Sequence, residues 1–238
     1  MKNFAFFALF TIATFSFSSC NINCVEGTGN VVTKNIQLDK IKSLELSSSI
    51  PVTIAQGQEQ MVQIKGYENI VELLNKKVKR GAWEIKFDKC LASSDNVEIH
   101  ITLPALEKIA LNGSGSISTE GVFKSEILEL ALDGSGKMKL ELQVKELETN
   151  LSGSGDINLE GSTKIHDISL NGSGDINAEN LKSDNVSIDL SGSGDVRVFS
   201  SYKLNITVDG SGDVYYKGNV KSISSDINGS GNLHQISN

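Results

Sequence analysis

The stretch Gly153–Asn158, GSGDIN, recurs unchanged at Gly172–Asn177, and its first three residues, Gly-Ser-Gly, occur seven times in the chain. The copies begin at Gly113, Gly134, Gly153, Gly172, Gly192, Gly210 and Gly229, with spacings of 21, 19, 19, 20, 18 and 19 residues. A period that constant marks a stacked repeat, in which one unit cannot bury its apolar face alone and its neighbours complete the core. Two residues before the first glycine stand Leu111, Leu132, Leu151, Leu170, Leu190, Val208 and Ile227. Four residues after it stand Ile117, Met138, Ile157, Ile176, Val196, Val214 and Leu233. Apolar residues on alternate positions either side of the motif read as strand, corner, strand, with one face turned inward. The chain is therefore predicted to be all-β, a β-solenoid whose rungs repeat every ~19–20 residues. At the corner, glycines supply positive φ and leave room for identical corners to lie above one another. A flexible-linker reading fails, because strand patterning continues on both sides of every copy. A phosphate-cradling loop fails too, because no helix pattern follows any copy.

The positions just outside the corner are the candidate functional face. Three residues after the first glycine, Asp156, Asp175, Asp195 and Asp213 fall in one column, between Lys137 and Asn232. Like charges ~5 Å apart repel by about 0.8 kcal/mol in water and about 3 kcal/mol at an effective dielectric of 20. A wet column needs no help, whereas a half-buried one calls for cations, with calcium the candidate. Asp side chains also accept hydrogen bonds from turn amides, which is the purely structural alternative. Five residues after the first glycine stand Asn158, Asn177, Arg197, Tyr215 and His234, a strip suited to a glycan or protein ligand and equally to an ordinary polar face.

Charge supports this division of the chain. Residues 20–111 carry 11 basic and 11 acidic side chains, whereas residues 112–238 carry 10 and 18. An acidic repeat region, in a chain with two arginines, is a poor partner for nucleic acid. The three histidines are far apart in sequence, and no metal-ligand spacing occurs.

Upstream, residues 31–111 read as a β-rich N-terminal part packed on the same stack. Val52 and Ile54, Val62 and Ile64, Ile85 and Phe87, and Val97, Ile99, Ile101 and Leu103 alternate as strands do. Ile70, Val71, Leu73, Leu74 and Val78 follow helical spacing, which predicts a short helix with Asn69 as its N-cap and Gly81 as its stop. Trp83 is expected to pack at a strand start.

Met1–Ser19 has an early Lys2, an apolar run from Phe4 to Phe17, and two serines before Cys20. That is the pattern of a secretory signal, too short for an ordinary spanning helix. Phe17–Cys20 resembles a lipobox with Phe in place of the usual Leu, so Cys20 is the expected lipidated residue, with 20–30 a tether to the membrane. Cys24 and Cys90 then remain, either as a disulfide or as two thiols.

The repeated GSGDIN, together with Val97–Ala105 (VEIHITLPA), Leu106–Ile109 (LEKI) and Leu111–Gly115 (LNGSG), resembles the motif of the putative auto-transporter adhesin, head GIN domain family. The resemblance spans most of the mature chain. It implies an all-β solenoid on an envelope protein of Bacteroidetes-type bacteria, and it brings no catalytic residues with it. The function expected is a non-enzymatic outer-membrane lipoprotein, facing the periplasm or the exterior, that presents a rigid binding surface. Two alternatives stand beside it. One is a structural role with edge-to-edge self-association. The other is a calcium-assisted polysaccharide-active enzyme, for which the Asp column offers Arg197 as its one basic residue.

Overall fold

The computed structural model of the chain describes residues 24–94 and 96–237; the signal segment and Cys20 lie outside the described residues. The N-terminal part contains β1 (Val31–Ile36), β2 (Ser43–Leu46), β3 (Pro51–Gln56), β4 (Met61–Tyr67), a one-turn helix α1 (Glu68–Val71), β5 (Val78–Lys79), β6 (Ala82–Ile85) and β7 (Glu98–Leu103). The repeats begin with β8 (Lys108–Gly113) and β9 (Ser116–Glu120). They continue as long bent strands, β10 (Phe123–Gly134), β11 (Lys137–Gly153), β12 (Asp156–Gly172), β13 (Asp175–Gly192) and β14 (Val196–Gly210). β15 (Val214–Lys217), β16 (Ser222–Gly229) and β17 (Leu233–Gln235) complete the last turns. All seventeen strands join one sheet that coils into a β-solenoid.

The parallel ladders place each Gly-Ser-Gly directly over the one before. Leu111, Leu132, Leu151, Leu170, Leu190, Val208 and Ile227 are consecutive register partners, and so are Ile117, Met138, Ile157, Ile176, Val196, Val214 and Leu233. Up to Val208 and Val214 these side chains are at most 2% exposed. Period-two alternation in sequence thus becomes two columns of aliphatic side chains lining the bore.

The two glycines of the motif do different work. The first has positive φ in every copy, 115° at Gly153 and 139° at Gly172. From Gly134 onward a Cβ there would also strike the rung below, at 2.5 Å from the Gly134 carbonyl oxygen in the case of Gly153. The second glycine has no such φ, but a Cβ on Gly155 would sit 2.6 Å from the Gly136 carbonyl oxygen. One glycine turns the chain, and both let the corners close-pack.

A second corner, unmarked in our reading of the sequence, is built from hydroxyls. Ser125, Thr163, Ser183 and Ser200 point inward and donate to main-chain carbonyls. Ser125 Oγ reaches Leu106 O and Ile127 O, Thr163 Oγ1 reaches Lys145 O and Ile165 O, and Ser200 Oγ reaches Asp184 O and Lys203 O. The buried hydroxyls of Thr163, Ser183 and Ser200 are tolerated there because each has an acceptor, and Ser125 is half-buried.

Residues 31–111 are part of the stack. The parallel order along one face is β6, β2, β8, then β10 onward, so the rung made by β2 and β3 lies between β6–β7 and β8–β9. The division at 111/112 falls inside β8, marking where the motif starts and not a break in the fold. β4 and β1 extend the first rung by antiparallel pairing.

The expected helix shrinks to one turn. Asn69 does not cap it; its side chain instead accepts from Thr28 N and donates to Glu26 O. Val78 pairs in a hairpin with Trp83, and Gly81 belongs to that turn, with Arg80 and Gly81 at φ 52° and 84°. Two consecutive positive φ values suit a tight hairpin whose twist matches its strands. The apolar spacing that suggested a longer helix arises because Leu74 packs from an irregular segment bridged to Phe87. Trp83 is fully buried at the start of β6, and its indole N–H donates to Asn75 O.

The expected tether is also shorter. From Cys24 onward it is bound to the domain: Cys24 and Cys90 are joined by a disulfide, Val25 bridges to Leu91, and the 26–28 segment is held by Asn69.

One ionisable group is sealed in the bore. His166 lies between Leu147 and Val186 in register, is fully buried, and shares its Nε2 with Thr149 Oγ1 at 3.0 Å. Burial lowers its pKa from 6.5 to about 3, so the folded protein holds it neutral.

Two predictions follow from these contacts. Gly113 and Gly153 share a positive φ, but nothing lies within 4 Å of a Cβ on Gly113. Gly113→Ala should therefore cost about 1 kcal/mol, from backbone strain alone, and Gly153→Ala at least about 3 kcal/mol. Equal losses in urea melts would refute the stacking constraint. For His166 the folded pKa lies below the unfolded one, so its contribution is complete above pH 6.5 and is lost as pH falls. Between pH 7 and pH 5 it should remove about 2 kcal/mol of stability. His166→Leu should flatten that part of the pH profile, as measured by denaturant titration at both pH values.

Candidate functional site

Each corner hands the chain to an outward side chain at the start of the next strand. Asp156 and Asp175 are register partners at the heads of β12 and β13. At this position the amides of Lys137, Asp156 and Asp175 donate to glycine carbonyls of the rung below, at 3.0, 3.0 and 3.2 Å. From Asp195 onward the acceptor changes. Asp195 N donates to Asp175 Oδ1 at 2.9 Å, Asp213 N to Asp195 Oδ1 at 3.0 Å, and Asn232 N to Asp213 Oδ1 at 2.8 Å. Carboxylates there continue the ladder that backbone carbonyls began.

This arrangement bears on the like-charge problem. The side chains of Asp156, Asp195 and Asp213 are 42%, 32% and 25% exposed, so water screens them in part. Charge-assisted amide bonds supply further compensation. Asp156 is outside the ladder and faces Lys137 at 3.2 Å. Among the described residues no three His, Cys, Asp or Glu side chains are grouped to hold a metal ion.

The second column gathers at the late rungs. Arg197 Cζ lies 4.2 Å from the centroid of the Tyr215 ring, whose other face stacks on His234 at 4.9 Å and 19°. Asp213 ties this cluster to the ladder. Its Oδ2 accepts from the Tyr215 hydroxyl at 3.3 Å and lies 3.4 Å from His234 Nε2, while Arg197 reaches Asp195 Oδ2 at 3.7 Å. The Asn232 amide bond, foremost, holds the Asp213 carboxyl below the usual carboxylate range. Burial, then the neighbouring Asp195 and Asp213 charges, push the Tyr215 phenol up.

The candidate residues thus form two adjoining columns that are densest at the late rungs. Asp175, Asp195, Asp213, Arg197 and Tyr215 converge, with Asn232 and His234. Asn177 is the register partner of Arg197 one rung earlier, with Asn158 one rung before that, and Asn177 Oδ1 accepts Glu179 N. Glu179 and Lys217 each stand seven residues after the first glycine of their motifs and pair at 3.4 Å, a contact not foreseen because the repeat between them has Phe199 at that offset. Both faces of Tyr215 are occupied, so the cluster offers ring edges, a hydroxyl and a guanidinium to a partner.

Residues 40–220 match the family described as putative auto-transporter adhesin, head GIN domain, and the chain belongs to that family. Among solved structures it is similar to a putative adhesin from Bacteroides fragilis NCTC 9343, with 25% identity and a TM-score of 0.85, over 89% of this chain and 100% of that one. A putative lipid binding protein from Parabacteroides distasonis ATCC 8503 (21% identity, TM-score 0.76, 89% and 99% covered) has the same fold. So does a putative adhesin from Parabacteroides merdae ATCC 43184 (21% identity, TM-score 0.73, 89% and 98% covered). No curated protein is similar enough to the chain to count as a match.

If Asp213 carries the ladder to the last rung, Asp213→Ala should speed amide exchange at Asn232 about fivefold, the loss of roughly 1 kcal/mol. Asp156→Ala should leave that amide unchanged. Hydrogen exchange resolved at Asn232 decides between them.

Proposed function

We propose that the chain is a non-enzymatic, envelope-tethered binding module whose late rungs present the ligand surface. The observation that carries this reading is the polarity of the stack. Its N-terminal end is locked by the Cys24–Cys90 disulfide, and the Arg197–Tyr215–His234 cluster lies toward the other end. Nine strands, from β6 to β16, are stacked along one face, which spans about 38 Å at ~4.8 Å per step. With lipid on Cys20, only three residues separate the anchor from Cys24, a reach of about 14 Å. The first rung then stays near the membrane and the later rungs are carried away from it.

The family description and that of the Bacteroides fragilis protein agree with adhesion. Catalysis is the poorer reading, since the ladder carboxylates accept amide bonds and Arg197 is engaged by Asp195 and Tyr215. Edge-to-edge assembly is the second reading, favoured by Ile223, which is 42% exposed on β16.

Cells carrying the full chain should adhere to arrayed glycans or matrix proteins above cells lacking it. Arg197→Ala with Tyr215→Ala should reduce adhesion at least fivefold. The mature N-terminus should be an acylated Cys20 by mass spectrometry. Wild-type adhesion no higher than the control would overturn the binding reading, and concentration-dependent oligomers in light scattering would then favour assembly.

A further inference from the structure

A broad concavity lies away from the Asp column. It is a groove of ≈ 1040 Å³ along the hydroxyl corner, crossing successive rungs from Ala105 to Asp184. Its floor includes Leu106, Val144 and Thr163, all buried, and Ile127 stands exposed at its side. Four lysines border it. Lys124 and Lys182 stand in one register column with Gln143 and Ser162 between them, and Lys145 and Lys164 follow the inward residues Val144 and Thr163 on the opposite rim.

The charges here are not mutually satisfied. Lys145 pairs with Glu126, and Glu107 with Lys42 outside the groove. Lys124, Lys164 and Lys182 have no side-chain hydrogen bond or ion pair among the described residues, and Asp184 alone of the lining acids has no cationic partner. The acidic repeat region thus contains a groove whose uncompensated charge is positive. Such a concave strip concentrates field and attracts anions.

We propose that this groove binds a linear anionic glycan, its carboxylate or sulfate groups meeting Lys124, Lys164 and Lys182. This rests on the binding reading above and goes beyond it by adding a second ligand surface on another face. The free ammonium groups are spread along the stack axis; Lys124 and Lys182 are three rungs apart, about 14 Å. A single-headed amphiphile would call for cations at one end of a closed apolar slot, whereas an extended polymer with repeated charge fits an open groove with cations along it. The mixed floor suits the apolar faces of sugar rings. Nucleic acid is the weaker partner, because no arginine or aromatic side chain lines the groove to stack a base.

The test is direct binding of the purified mature chain to polygalacturonate and heparin by calorimetry at low and physiological salt. Neutral dextran and single-stranded DNA serve as comparisons. The wild type should bind both acidic polymers, more weakly as salt rises, and should not bind dextran. The triple variant Lys124→Ala, Lys164→Ala, Lys182→Ala should lose at least tenfold in affinity at unchanged Tm. The triple variant Lys76→Ala, Lys77→Ala, Lys79→Ala removes the same charge from the exposed N-terminal part and should stay within twofold of wild type. Equal losses in the two triple variants would overturn the groove as the site, as would DNA binding as tight as the glycans. Absence of polymer binding, with cell adhesion intact, would overturn the groove and leave the adhesive reading standing.

Discussion

The structure depends on how closely one corner can lie upon another. In every Gly-Ser-Gly turn from Gly134 onward, a glycine carbonyl of the rung below occupies the space a Cβ would need. That approach lets parallel ladders run on through the corner, so each rung's amides find acceptors in its neighbour. The stack is consequently intolerant at these sites and permissive on its outer face, where side chains meet only water or one another.

Once the corners are aligned, identical offsets from the motif become straight columns, and each column has a distinct role. Inward columns are aliphatic, with His166 held neutral among them. From Asp175 to Asp213 the outward Asp column turns like charges into a hydrogen-bonding ladder, each of these carboxylates accepting the next rung's amide. The neighbouring column collects Arg197, Tyr215 and His234 into a mutual stack. A repeated fold thus converts sequence period into an extended surface, and differences among the rungs decide what that surface offers.

The two ends of the stack differ because the N-terminal part weaves its rungs out of order. Inserting β2–β3 between β6–β7 and β8–β9 ties residues far apart in sequence into one sheet, and the disulfide secures the loop leading into β7. A disulfide-locked end and a polar cluster toward the opposite end follow from that topology.

The solenoid, the inward columns and the outward Asp and Arg–Tyr columns were legible in the sequence, because stacking forces equivalent positions of every rung to satisfy the same local rule. The Gly-Ser-Gly offsets carry that rule unaltered from Gly113 to Gly231. What only the tertiary structure decided are features that arise between rungs or away from the motif. They include the Asp175–Asp195–Asp213 amide ladder, the hydroxyl corner of Ser125, Thr163, Ser183 and Ser200, the hairpin at Arg80–Gly81, and the lysine-rimmed groove. Counted back from the following motif, Lys124 and Lys182 stand ten residues before Gly134 and Gly192, and Lys164 stands eight before Gly172, so these lysines do keep repeat offsets. What the chain does not record is that the turn at Ser125, Thr163 and Ser183 sets those two offsets on opposite rims of one groove, which the stacking of the rungs decides.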